Sequence, residues 1–226
     1  MRSIAKLMKD WQFTGPNGVT TAVELPHTWN ARDGQDGGND YWRGCCTYCT
    51  RFAAPVYDPA QQQVWLQFEG VNASAAVLLN GQQLCTHDGG YSTFRAEITE
   101  LLQAENQLTV RVDNSVNDRV YPQKADFTFY GGIYRDVSLL VVNKNHIALG
   151  HFGDTGVKIT PALQENSADI RVETLVEGSG TVTVELLDAE GRTAAKGEGE
   201  NTFLHLDAPH LWNGVKDPYL LSLIHI

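Results

Sequence analysis

Basic residues are scarce in this chain: 17 Lys and Arg stand against 27 Asp and Glu, a formal net charge of -10. A nucleic-acid partner needs a basic patch, so that class is excluded. Long apolar runs are also lacking. No segment approaches the length of a membrane span, and the start, "MRSIAKLMKDWQF", has no apolar stretch long enough for a signal-peptide core. The expectation is a cytoplasmic protein without a membrane partner. Cysteine is sparse too, with four in 226 residues. Three cluster as "CCTYC", where alternation on a strand puts Cys45 and Cys49 on one face and Cys46 on the other. Only Cys85 remains to complete a site, and this spacing fits no zinc pattern. Small buried thiols in a strand are the expectation.

Turn formers, by contrast, are plentiful: 21 Gly and 8 Pro are spread along the chain, which points to many short strands. "QVWLQFE" alternates Val64, Leu66 and Phe68 with Trp65, Gln67 and Glu69, and "QLTVRVDN" does the same with Leu108, Val110 and Val112 inward. These are period-two patterns of half-buried strands. Asn80-Gly81 between apolar runs is a strong hairpin signal. "AEITELLQ" has helical spacing at Ile98, Leu101 and Leu102, which predicts about two turns of helix. The first half therefore reads as an antiparallel β-sandwich with one short helix. Polar and glycine residues at 141–154 suit a domain junction. The strands "ADIRVETLV" and "GTVTVELLD" beyond it suit a second, immunoglobulin-like sandwich, although residues 143–220 give five or six strands where about seven are usual.

One acid stands out. Asp126, in "ADFTFYGGIYRDV", precedes an aromatic run and would be costly to desolvate unless something binds it. The stretches "VELPHTWNARDGQDGGNDYWRG", "FEGVNASAAVLLNGQQLCTHDGGYSTFRAEITELL", "ADFTFYGGIYRDVSLL" and "APHLWNGVKDPYL" together resemble glycoside hydrolase family 2, the family of β-galactosidases, β-glucuronidases and β-mannosidases. The four appear in family order and span nearly all of residues 11 to 220. "FTFYGGIYRDV" is more similar to a β-galactosidase than to a β-glucuronidase. Departures exist: after "YWRG" this chain reads "CCTYCTRF", where many relatives carry Trp-Tyr and a basic residue.

The resemblance implies an all-β chain with a jelly-roll, galactose-binding-like β-sandwich at 1–142 and a truncated immunoglobulin-like β-sandwich at 143–220. It also implies a C-terminal catalytic (β/α)8 barrel, which this chain would lack. Retaining hydrolysis needs two carboxyl groups about 5 to 5.5 Å apart, and the family's two glutamates lie in that barrel. The chain is therefore expected to carry no catalytic residue and to be inactive alone. Residues 221–226, "LSLIHI", are the translation of CTG TCT CTT ATA CAC ATC. That is the reading expected where a frame runs into adapter sequence, so they are expected to be an adapter-derived tail; the alternative is a six-residue β-strand that happens to read this way.

Carried over residue by residue, Asp126 matches the family's aspartate that reaches into the barrel's mouth and contacts sugar hydroxyls. It also matches a residue that helps hold a sodium ion in some galactosidases. No cofactor is expected for this chain, and a monovalent cation is expected only in a full-length enzyme, whose partner is a β-glycoside substrate. In the loop "NARDGQDGGNDYW", Asp36, Asn39 and Asp40 are further candidates for sugar contact, since loops carry function more often than strands. Gly131-Gly132 is expected to supply a backbone bend, Arg135 and Asp136 to pair with each other on a strand, and His87 to be structural. Trp11, Trp29, Trp42 and Trp65 could stack on sugars but suit packing better. Two other functions compete: a free-standing carbohydrate-binding module, and a structural sandwich pair mediating homo-oligomer contacts.

Overall fold

The computed structural model describes residues 2–32, 41–122, 125, 127–150 and 153–225. The chain is all-β and forms two compact units, Met1–Asn143 and Lys144–Ile226.

The first unit is a sandwich of two antiparallel sheets. Four strands make one sheet, in the order Ser3–Lys6, Val137–Asn143, Gln62–Phe68, Phe94–Glu97. Six make the other, in the order Thr20–Val23, Trp11–Thr14, Cys45–Ala53, Glu105–Asp113, Ser74–Leu79, Gln82–Asp88. Alternation is what drives the packing. Val64, Leu66 and Phe68 from the smaller sheet join Val77, Leu79, Leu108, Val110 and Val112 from the larger one in a single buried core. Each such side chain contributes roughly 1.5–3 kcal/mol relative to exposure. The opposite face of Gln62–Phe68 is not uniformly polar as the alternation suggests. Trp65 is buried as well, opposite the buried Leu140 of the neighbouring strand.

Asn80 and Gly81 adopt φ of 52° and 84°, the two positive values of a tight type I′ hairpin turn. Asn80 then ties the turn down: its amide donates to Leu101 O at 3.1 Å and Asn106 Oδ1 at 3.0 Å. The expected two-turn helix is not there. Phe94–Glu97 is a strand paired with Gln62–Phe68, and only Thr99–Leu101 forms a 3-10 turn. Continued pairing explains the difference. Ile98 N donates to Val64 O at 2.9 Å, while Val64 N donates to Thr99 Oγ1 at 3.0 Å. The apolar spacing serves a strand end and buried Ile98 rather than a helix face.

The second unit has two three-stranded sheets. One orders Val157–Leu163, Ser167–Thr174 and Asn201–Asp207, and the other Thr193–Glu198, Thr183–Leu187 and Ser222–His225. Ile170, Val172, Val182, Val184, Leu186 and Leu204 form its core. Of the tail expected to derive from adapter sequence, Ser222–His225 pairs with Thr183–Leu187, and Leu221 and Leu223 pack half-buried against that core. Their apolar alternation suits a strand whatever its origin.

Candidate functional site

Asp126, Asp36, Asn39 and Asp40 all lie outside the described residues. What the structure shows is the backbone on which the two candidate segments stand. Phe129, Tyr130 and Gly131 follow Asp126, and their main-chain groups are taken one after another by side chains from elsewhere. Asn114 Nδ2 donates to Phe129 O at 2.8 Å. Asn72 Nδ2 donates to Tyr130 O at 2.5 Å. Gly131 N donates to Asn30 Oδ1 at 2.7 Å, and Thr28 Oγ1 donates to Gly131 O at 2.8 Å. Asn30 and Asn114 are fully buried and Asn72 is nearly so. A buried amide must find partners for both its ends, and each of these finds one of them in a segment with no regular structure of its own.

Asn30 and Asn114 also meet each other. Asn114 Nδ2 lies 3.1 Å from Asn30 Oδ1. Asn30 Nδ2 donates to Trp42 O at 2.8 Å, and Gly44 N donates to Asn114 Oδ1, also at 2.8 Å. Arg43 adds a bond to Asn114 O at 2.7 Å and stacks over the Phe129 ring with its guanidinium carbon 4.8 Å from the centroid. A cation over an aromatic face contributes about 0.5–1 kcal/mol at an exposed site. Four stretches of chain, at 28–30, 42–44, 114 and 129–131, thus converge on two side chains.

The glycine pair does more than bend the chain. A side chain at Gly131 would run into the Trp29 ring. Gly132 has φ +141°, and a Cβ there would meet the His27 carbonyl oxygen and, at 2.9 Å, the Tyr48 hydroxyl. That hydroxyl shares a 2.7 Å hydrogen bond with His27 Nδ1. Burial pushes the His27 imidazole below its ordinary pKa and the Tyr48 phenol far above its own, so both are neutral. Around them, Phe13 and Trp29 stack with centroids 6.0 Å apart, and Trp42 meets Trp29 edge-on at 6.1 Å. The exposed rings beside the clamped segment are Phe127, Tyr130 and Trp42.

Several expectations change. Asp136 does not pair with Arg135; it binds Lys6 at 2.5 Å. Arg135 sits in a bend, its side chain laid against Gly70. Consecutive side chains diverge, so Asp136 meets the strand alongside. His87 is structural: its Nε2 lies 3.1 Å from Gly89 O and 3.0 Å from Ser92 Oγ, and its ring stacks on Phe94 at 4.2 Å. Trp11 and Trp65 are buried, Trp29 is packed against the core, and Trp42 is the one of the four with substantial exposure. The four cysteines are free thiols but not all buried as expected: Cys45 is exposed, Cys49 and Cys85 are half-buried, and only Cys46, on the inward face of its strand, is buried, with its pKa pushed up to about 12 by desolvation. Among the described residues no group of three or more His, Cys, Asp or Glu could hold a metal ion, and no helix is long and apolar enough to cross a membrane. The sequence reading missed Asn30, Asn72 and Asn114. The only signal was their position at the edges of the motifs "PHTWN", "EGVN" and "RVDN".

Residues 38–162 match the family model described as the glycosyl hydrolase 2 galactose-binding domain-like. A β-glucuronidase of Bacteroides fragilis is 33% identical over 239 residues, covering 96% of this chain and 34% of that protein. A β-galactosidase of Thermoanaerobacterium thermosulfurigenes is 31% identical over 223 residues, covering 93% of this chain and 28% of that protein. Among solved structures, an FMN-binding β-glucuronidase from F. prausnitzii L2-6 superposes with a TM-score of 0.91 at 33% identity, covering all of this chain and 36% of that one. The chain spans between about a quarter and a third of the length of these curated relatives.

Proposed function

Because the chain belongs to glycoside hydrolase family 2, we propose that it is the non-catalytic portion of a retaining β-glycosidase and that Asp126 contacts sugar hydroxyls in the substrate site. The observation that carries this reading is the clamp on Phe129–Gly131. Three asparagines and a threonine hold the main chain just after Asp126. A binding group is useful only if its supporting backbone is fixed before the ligand arrives. An ionised carboxylate on such a base accepts hydrogen bonds from two adjacent hydroxyls. Asp36, Asn39 and Asp40 belong to the other segment rooted in the same clamp and are the second source of sugar contacts. The bond-breaking carboxyl pair, about 5 to 5.5 Å apart in a retaining enzyme, is assigned to a barrel beyond these residues. A sodium ion at Asp126 would need its other ligands from that barrel as well.

The proposed substrate is a β-galactoside, on the strength of "FTFYGGIYRDV". A β-glucuronide is the second reading, favoured by the name of the B. fragilis relative. Assay of the full-length protein on 4-nitrophenyl β-D-galactoside and β-D-glucuronide decides between them. Preferential cleavage of the galactoside with retention supports the first, preference for the glucuronide the second, and cleavage of no β-glycoside refutes both. The 226-residue chain alone is expected to cleave neither.

A further inference from the structure

We infer that Asn30 and Asn114 are positioning residues that tie together the roots of the two candidate sugar-contacting segments, an inference that rests on the reading of Asp126 just given. Each asparagine stands at the root of one loop and grips the point where that loop returns. Asn30 precedes the segment 31–41 and donates to Trp42 O at 2.8 Å, where the chain comes back. Asn114 precedes the segment 115–128 and donates to Phe129 O, again at 2.8 Å. Each also reaches across. Asn30 Oδ1 accepts from Gly131 N beyond the second segment at 2.7 Å, and Asn114 Oδ1 accepts from Gly44 N beyond the first at 2.8 Å. The two amides then bond to each other at 3.1 Å.

The chemistry requires asparagine at both places. Each side chain must donate to a carbonyl and accept from an N–H in a fully buried site. An aspartate there would turn a carboxylate toward carbonyl oxygens and bury its charge. A leucine at either place would leave two main-chain groups without partners, at about 1–3 kcal/mol each. The arrangement fixes the separation of the loop roots independently of the residues at the loop tips. A change at either asparagine therefore disturbs both roots, and a displacement of about 1 Å at a binding group can cost roughly a hundredfold in rate.

The test is a double-mutant cycle on kcat/KM in the full-length protein, combining Asn114→Ser with Asp126→Asn. If Asn114 acts through the loop that carries Asp126, Asn114→Ser lowers kcat/KM by about tenfold or more with a raised KM. In the Asp126→Asn background the same change costs less than about twofold, because coupled positions are not additive. A merely destabilised protein has fewer active molecules in both backgrounds, so equal factors overturn the inference. If Asp126→Asn itself leaves kcat/KM unchanged, the reading of Asp126 falls and the inference with it. Should Asn114→Ser not fold, Thr28→Val replaces it. This removes only the 2.8 Å bond to Gly131 O and the hydroxyl that accepts from Asn30 N at 3.2 Å. Non-additivity with Asp126→Asn supports the inference there too, and additivity overturns it.

Discussion

Gly132→Ala should damage the first unit far more than an alanine at an ordinary turn glycine. Two costs combine. The backbone holds φ +141°, a conformation that costs an L side chain about 1–3 kcal/mol. The new methyl would also press on His27 O and approach the Tyr48 hydroxyl at 2.9 Å, disturbing its bond to His27 Nδ1. Overpacking of this kind costs about 1–3 kcal/mol, so the sum is about 2–6 kcal/mol. Gly18 is the control. It has φ +74° with nothing within 4 Å of a built Cβ, so Gly18→Ala carries the backbone term alone. Urea unfolding followed by tryptophan fluorescence reads chiefly the first unit, since four of the five tryptophans, Trp11, Trp29, Trp42 and Trp65, belong to it and Trp212 of the second unit is already largely exposed. With a slope of about 2 kcal/mol per molar, Gly132→Ala should lower the midpoint by about 1–3 M and Gly18→Ala by clearly less. Equal shifts for the two variants would refute the close-approach argument.

Two further outcomes follow from burial. His27 and His87 both have pKa values lowered chiefly by desolvation. The unfolded chain takes up protons below about pH 6.5 while the folded rings stay neutral, so stability falls as pH drops through that window. The urea midpoint of the first unit should be lower at pH 5.5 than at pH 7, with His27→Gln reducing the difference; a flat profile contradicts the assignment. Cys46 is buried with a pKa of about 12, whereas Cys45 is exposed. Iodoacetamide at pH 7.5 should label Cys45 before Cys46 in the native protein, as read by mass spectrometry, because the thiolate is the nucleophile. Equal labelling of the two would show that the strand opens.

Much of the fold was legible because it rests on local patterns. The alternation of Val64, Leu66 and Phe68 and the Asn80-Gly81 turn each encode their structure within a few residues. Asp126 drew notice because a carboxylate among aromatics needs a reason. The asparagine clamp was not legible, and the cause is physical. Asn30, Asn72 and Asn114 are turn-type residues by local rules, and only the meeting of strands distant in sequence makes them buried amides. Asp136 shows the same limit. Its partner Lys6 is 130 positions away, and sequence offered only the adjacent Arg135. The apolar spacing at Ile98–Leu102 misled because Ile98 and Leu101 fit a strand end followed by a 3-10 turn as well as they fit a helix.

Asp126→Asn in the full-length protein tests the central claim most directly, with kcat/KM measured on the preferred β-glycoside beside a check that the variant unfolds at the same urea concentration. A carboxylate that accepts hydrogen bonds from sugar hydroxyls contributes about 1.5–3 kcal/mol. The account predicts a loss of roughly tenfold to a hundredfold with stability unchanged. An unaltered kcat/KM would contradict it.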